Sequence, residues 1–405
     1  MKSFTKSFTQ QEALTDAATN AALNVMRSGR LHRYNTVDNT LSEVDQLEIE
    51  FADYMGVPYC LACASGGYAL HIAMRAAGIK QGDKVLSNAF TLAPVPGAIH
   101  NSGALPILVN TDNNYCIDLE DLAVKAQHSG ARYLVLSHMR GHIADMDRVM
   151  SICKQYRLFL IEDCAHTMGA HWDNKKSGIF GDIACFSTQT YKHINSGEGG
   201  LLISAHDKVM ARAIIYSGSY MLFEQHQAAP PKAAFERICY DTPNFSGRMD
   251  NLRAAILRPQ LSHLDNQCQR WNQHYHLLAQ VLQQSPAIAL PERSHKEQFV
   301  GSSIQFSLPG FSRQQLQQVV SNCHTRGVSI KWFGDKKPQG YTSRYDSWQY
   351  IDQLPYLPET ERILSTLLDM RIPLTFDTHD CQLIGDIIVE VVTELLHTQY
   401  VTLHE

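Results

Sequence analysis

Several things are missing from this chain, and each absence removes a class of protein. No apolar run approaches the roughly 20 residues that a membrane-spanning helix needs, so no membrane association is expected. The first ten residues, Met1 to Gln10, are polar and lack the apolar core of a secretory signal. There is no excess of positive charge. Thirty-five Lys and Arg stand against 40 Asp and Glu, a net charge of −5, which suits neither general nucleic-acid binding nor attachment to anionic lipid. Internal repeats and low-complexity tracts are absent as well. The ten cysteines form no disulfide framework, because they are scattered through apolar runs such as Ile183-Ala184-Cys185-Phe186. The one Cys-x-x-Cys pair, Cys60 and Cys63, has no second pair at zinc spacing and falls within a strand-like run, so no metal is expected. With 44% hydrophobic and 19% charged residues, the 405-residue chain is expected to be a reduced, cytoplasmic, globular protein of more than one domain.

The apolar residues are organised in a recognisable way. Short apolar runs at 59–64, 84–88, 105–110, 133–137, 158–162, 183–187 and 200–204 alternate with helical periodicity, as at 68–77 and 146–156. That alternation predicts an α/β fold whose mainly parallel sheet is covered on both faces. Beyond residue 250 the texture changes. One long helix or two consecutive ones are expected over 250–284, kinked or divided at Pro259. A strand at 303–307, a helix at 313–326, a strand at 328–332 and a last helix at 379–396 then predict a smaller α+β domain. The expected division is an N-terminal helix and arm at 1–40, the arm able to reach a partner subunit, a large domain at 41–260 and a small one at 261–405.

Ligands of open parallel sheets sit beyond the carboxyl ends of the strands. The first run ends in Ser65-Gly66-Gly67 before a helix, which is either a plain capped turn or a phosphate seat of backbone N–H groups. The fifth leads into Asp163-Cys164-Ala165-His166, where Asp163 is either a helix cap or the partner of a protonated ring nitrogen. The sixth leads through Ser187 to Lys192, which is either a solvated surface group or an amine nucleophile in a polar pocket. Together the three match the needs of pyridoxal 5′-phosphate: a phosphate to anchor, an aldehyde to hold as an imine and a ring nitrogen to keep protonated.

The series of motifs resembles the DegT/DnrJ/EryC1/StrS family of sugar aminotransferases. It runs Ser65-Gly66-Gly67-Tyr68-Ala69-Leu70-His71, Gly103-Ala104-Leu105-Pro106, His138-Met139-Arg140-Gly141 with Ala144-Asp145-Met146-Asp147, then Asp163 to Ala170, then Phe186 to Gly200. The resemblance implies a pyridoxal-phosphate transferase of fold type I, with a mainly parallel seven-stranded sheet in the large domain. It implies Lys192 as the Schiff-base lysine and proton carrier, Asp163 on the ring nitrogen and His166 against the ring. Ser65, Gly66, Gly67 and Ser187 would hold the phosphate, and Asn244 (or Ser246) would reach the partner subunit's phosphate in a homodimer. Substrate contacts are expected from Arg140, His193, Arg248 and Lys331.

Some positions depart from the family pattern. Gly67 replaces a threonine, and Leu92 stands where an aromatic usually covers the ring, so either Leu92 or Phe90 does so here. Arg140 replaces an uncharged residue. The basic segment around Lys331, Lys336, Lys337, Ser343 and Arg344 is either a solvated loop or a lid for a carboxylate or phosphate. Lysine rather than histidine at 192 favours amino transfer over the dehydration carried out by one branch of the family. The expected reaction moves an amino group from L-glutamate or L-glutamine to a carbonyl sugar. Arg140 and the basic segment favour an acidic acceptor, such as the C8 aldehyde of a 3-deoxyoctulosonate destined for lipopolysaccharide. A nucleotide-linked keto sugar is the alternative, and a dehydratase or a non-catalytic cofactor-binding regulator is a further one.

Overall fold

The computed structural model describes residues 2–37, 40–335 and 344–402. Among these, thirteen strands form three sheets. In chain order they are β1 (Tyr59–Cys63), β2 (Lys84–Asn88), β3 (Leu105–Val109), β4 (Tyr133–Ser137), β5 (Phe159–Asp163), β6 (His171–Trp172), β7 (Lys175–Lys176), β8 (Ile183–Ser187), β9 (Gly200–Ser204), β10 (Glu297–Gln298), β11 (Ser303–Ser307), β12 (Lys331–Trp332) and β13 (Leu367–Arg371).

The main sheet has the order β1-β9-β8-β5-β4-β2-β3. The five strands from β8 to β3 run parallel, while β9 pairs antiparallel with both β8 and β1. Successive side chains of a strand point to opposite faces, and here each face has its own core. Leu134, Leu136, Ala184 and Phe186 enter one hydrophobic cluster, whereas Val135, Ile183 and Cys185 enter the other. This is why the strands read as unbroken apolar runs rather than as alternating ones. All ten cysteines are unpaired, and Cys60 and Cys63 lie buried in β1.

Register brings the carboxyl ends together. Ser137 at the end of β4 pairs with Asp163 at the end of β5, and Asp163 pairs with Cys185, two residues before the end of β8. The helix Gly66–Ala76 starts beside them, its backbone turned by Ser65, whose side chain accepts from the Tyr68 amide at 3.1 Å.

After β9 the expected division of a long helix is realised as Asn251–Leu261 and Leu264–Leu282, with Pro259 in the last turn of the first. The first packs on the helices Asp16–Ser28 and Glu43–Met55, and the second packs on Thr378–Thr402. The sheet β11-β13-β12 lies in the C-terminal third of the chain and is antiparallel throughout. Its central strand, β13, is absent from the sequence expectation. Leu368 and Met370 of β13 face the core, so Asp369 and Arg371 face the other way.

The N-terminal arm does not extend away from its own chain. Phe4 and Phe8 are buried, and each meets Phe376 edge-to-face at 5.0 Å between ring centroids.

Candidate active site

Asp163 sits at the floor of a cavity of about 310 Å³, lined also by Ser65, Gly66, Gly67, His166, Ser187 and Lys192. Its Oδ2 accepts from the Ser137 hydroxyl at 2.9 Å, and its Oδ1 accepts from the Ala165 amide at 3.2 Å. Ser137 in turn accepts from Thr91 at 2.8 Å. Burial raises the Asp163 carboxyl above its ordinary range against the lowering effect of these bonds and of Lys192. A buried carboxylate in that state gains most from a cationic partner.

Lys192 follows β8 in a loop held by its own amide, which donates to the Gln189 carbonyl at 2.9 Å. Its Nζ lies 2.9 Å from His166 Nε2. Burial pulls the Lys192 amine down to about 7, with Arg140 and Arg371 adding to the effect and Asp163 opposing it. Burial also holds His166 well below its usual value, so its ring is neutral. Near pH 7 the amine therefore has a large unprotonated fraction, the form that attacks a carbonyl.

The phosphate end of the cavity depends on glycine for space. A Cβ at Gly66 would come 2.8 Å from that of Ser187, whereas one at Gly67 would meet only Pro94, at 3.6 Å. Both residues open the helix Gly66–Ala76, where the first amides have no intrahelical acceptor. The cradle, the amine and the buried carboxylate fit pyridoxal 5′-phosphate. Gly66, Gly67 and Ser187 would hold its phosphate, Asp163 its ring nitrogen and Lys192 its carbonyl carbon.

A second cavity, about 360 Å³, shares Lys192, His166, Leu92 and Gln189 with the first and opens toward β11, β12 and β13. Arg140, Lys192, Lys331 and Arg371 line it, and among the described residues no carboxylate does. Arg140 has a left-handed backbone, φ +56°, a conformation that costs a non-glycine residue roughly 1–2 kcal/mol. Its guanidinium is already engaged with Asp369 Oδ2 at 2.7 Å. Asp369 Oδ1 accepts from Gln305 at 2.7 Å. Arg371 stacks on the Tyr191 ring, 3.7 Å from its centroid. Burial lowers Lys331 to about 8, helped by Arg140 and Arg371 and opposed by Asp369. Basic groups thus crowd this cavity, and of the two carboxylates that act on them Asp369 is paired with Arg140 while Asp163 lies on the adjoining cavity.

Other expected residues lie elsewhere. Phe90 is corrected to Leu92: Phe90 is fully buried against Phe333, at 4.9 Å between ring centroids, and Leu92 is the residue that lines both cavities. The His193 ring is already engaged, Nδ1 with the Met168 carbonyl at 2.7 Å and Nε2 with the Ser302 hydroxyl at 3.0 Å, and it lines neither of these cavities but a third one that also reaches Lys192. Arg248 donates to the Gly218 carbonyl and lines neither cavity. Asn244 and Ser246 are exposed on the surface of this chain. Of the basic segment, Arg344 is paired with Asp346 at 2.9 Å, while Lys336, Lys337 and Ser343 lie outside the described residues.

Sequence reasoning missed Ser137, Gln189, Tyr191 and Arg371. The first three follow or end anticipated strands and were open to the same rule that found Asp163. Arg371 lies on β13, which gave no clear period. One buried trio, His138, Glu162 and Cys164, has metal-ligand atom types within 4.8 Å of each other. Its carboxylate already accepts from the amides of Gly178, Phe180 and Gly181, at 3.2, 2.9 and 2.7 Å. Such a carboxylate braces the β5 end rather than inviting a cation.

A seven-stranded, mostly parallel sheet with a lysine, a histidine and an aspartate at its carboxyl edge defines a pyridoxal-phosphate transferase of fold type I. Residues 14–389 match the DegT/DnrJ/EryC1/StrS aminotransferase family, and the chain belongs to it. It is 32% identical over 223 residues to the GDP-perosamine synthase of Vibrio cholerae, covering 55% of this chain and 58% of that one. It is 34% identical over 229 residues to the dTDP-3-amino-3,6-dideoxy-alpha-D-galactopyranose transaminase of Aneurinibacillus thermoaerophilus, covering 56% and 60%. These matches span little more than half the length of the relatives. A Streptococcus pneumoniae protein solved in its PMP form shares the fold, with a TM-score of 0.83 at 17% identity, covering 98% of this chain and all of that one. The family's cofactor is pyridoxal 5′-phosphate, and no helix among the described residues is long and apolar enough to cross a membrane.

Proposed function

We propose that this chain is a pyridoxal-phosphate-dependent aminotransferase that takes an amino group from L-glutamate or L-glutamine and gives it to a carbonyl sugar bearing an acid group. The observation that carries the reaction is Lys192 Nζ at 2.9 Å from a neutral His166, above the buried Asp163. When bound, the cofactor supplies a carbonyl carbon for the amine and a ring that takes up electron density from the substrate bond being broken. With the cofactor bound, Lys192 Nζ would be the group that the donor's amine displaces and the base available to carry a proton from the substrate. His166 keeps that amine oriented, and Asp163 holds the opposite end of the ring protonated.

The acid group on the acceptor is supported by Arg140, Lys331 and Arg371 facing a cavity that no carboxylate lines among the described residues. Arg371 and Lys331 are the pair we assign to it, as basic groups that line the cavity from β13 and β12. An aldehyde of a 3-deoxyoctulosonate, used for lipopolysaccharide, satisfies this chemistry, and a nucleotide-linked keto sugar offers phosphates instead. We further propose that the protein is a cytoplasmic homodimer in which the exposed Asn244–Ser246 stretch completes the partner's phosphate site.

The test is the visible absorption of purified protein with cofactor, before and after L-glutamate. A yellow band that bleaches, then returns on adding a carbonyl sugar acid, is the expected outcome. A band that no amino acid bleaches would point to the dehydratase or the regulator, and no band at all would refute the roles of Asp163 and Lys192.

A further inference from the structure

The family match begins at residue 14, yet residues upstream of it line the cavity that holds the cations. Phe8 and Gln11 belong to that wall together with Arg140, Lys331 and Arg371. Gln11 also lines the adjoining cavity of about 300 Å³, which reaches Lys192 from the other side.

The arm is firmly placed. The Phe4 amide donates to the Arg326 carbonyl at 2.8 Å, and Arg326 Nε donates back to the Lys2 carbonyl at 2.8 Å. Gly327, at φ +82°, lets this approach happen, because a Cβ there would run into the Phe4 carbonyl oxygen. Lys2 pairs with Asp386 and Glu390, each at 2.9 Å, and Lys6 pairs with Asp380. Glu12 takes two bonds from Arg270, at 2.7 and 2.9 Å.

Within this anchored segment the Gln11 carboxamide has no hydrogen-bond partner among the described residues. It is flanked on the chain by groups that are all committed: Thr375 donates to the Gln10 carbonyl at 3.5 Å, and Glu12 holds Arg270. A side chain with two donors and an acceptor, held by its neighbours against a cavity and left unpaired, is placed to read hydroxyl groups.

We infer that the N-terminal arm is a specificity-determining wall of the acceptor cavity, in which Gln11 hydrogen-bonds hydroxyls of a polyhydroxylated acceptor. The inference rests on the proposed reading that this cavity receives the acceptor. The division of labour is then clear. Arg371 and Lys331 select the acid group, Gln11 selects the hydroxylated chain, and Phe8 bounds the space with an apolar face.

The experiment measures dissociation constants of the cofactor-loaded protein by calorimetry for three unreactive probes: acetate, D-glucitol and D-gluconate. Gln11→Ala leaves every anchor of the arm in place. It is expected to weaken glucitol and gluconate by roughly three- to tenfold, the loss of one or two neutral hydrogen bonds, and to leave acetate unchanged. Arg371→Gln is expected to weaken acetate and gluconate and spare glucitol. Unchanged polyol affinities in Gln11→Ala, or no polyol binding by the unaltered protein, overturn the arm's role. Failure of Arg371→Gln to affect either acid overturns the acidic-acceptor reading instead, and leaves the Gln11 result to be judged on glucitol alone.

Discussion

The floor and the wall of this site are built in opposite ways. The floor comes from the carboxyl ends of neighbouring parallel strands, so Ser137, Asp163 and Ser187 are placed by a register that the whole sheet enforces. The wall is assembled from residues 8, 11, 140, 331 and 371, brought together by the small sheet and the arm. Floor positions are over-determined by two hydrophobic cores, one on each sheet face. Wall positions border only one of those cores and add paired charges and aromatic contacts. Under the proposed function, the chemistry that every substrate shares sits on the sheet, and the selection of one substrate sits on the part that sequence change can alter with least damage.

That contrast is sharpest in the kinetics. Lys192→Ala removes both the nucleophile and the proton carrier, and turnover should fall by at least about 10⁴-fold with the fold intact by circular dichroism. A variant with full turnover would break the assignment of the floor. Arg371→Gln should instead raise KM for an acidic acceptor by roughly 10- to 100-fold, the weight of a charge-assisted bond, with a smaller change in kcat. Arg371→Lys should recover part of it. An equal fall in kcat would place Arg371 with the floor.

Cofactor retention makes the next comparison. Gly66→Ala forces its Cβ to 2.8 Å from that of Ser187, and such overpacking costs about 1–3 kcal/mol. It should show as a lower melting temperature and faster cofactor loss on dialysis. Gly67→Thr meets only Pro94, so it should fold normally and slow cofactor loss a few-fold by adding a hydroxyl near the phosphate.

The smallest effect is on pH. In cofactor-free protein the Lys192 amine should react with an acylating reagent with half-maximal rate near pH 7. The folded value lies below the ordinary lysine value, so the unfolded chain binds more protons between the two. This group's contribution to stability therefore rises as pH increases from about 7 toward 10.5, and Lys192→Met should flatten that rise. A stability curve unchanged by the substitution would mean that the amine is not held in its neutral form.

Legibility in the sequence follows the same line. β2, β4, β8, β9 and β11 appear in the structure with the bounds that the apolar runs predicted, because runs buried on both faces leave little ambiguity. Asp163 drew notice for the same reason, lying where such a run ends, and Lys192 for lying in the loop five residues beyond another. β13 was not, since Leu367-Leu368-Asp369-Met370-Arg371 joins an apolar pair to an alternating stretch and carries no flanking glycine. Phe90 looked like the ring cover on residue type alone, but direction decides, and Leu92 is the residue turned toward the cavity. The arm's contribution was invisible because its meaning depends on contacts more than 300 residues away.

That separation has a consequence for how the protein comes into being. Residues 4–12 leave the ribosome more than 300 residues ahead of Arg326, Phe376, Asp380 and Asp386, on which the arm docks. The sheet order requires β1 to wait only for β9, so the catalytic floor can form while the C-terminal third is still being made. The strand ends that carry Asp163 can thus be in place before the arm docks, and the seam that closes later is the one that joins segments made more than 300 residues apart.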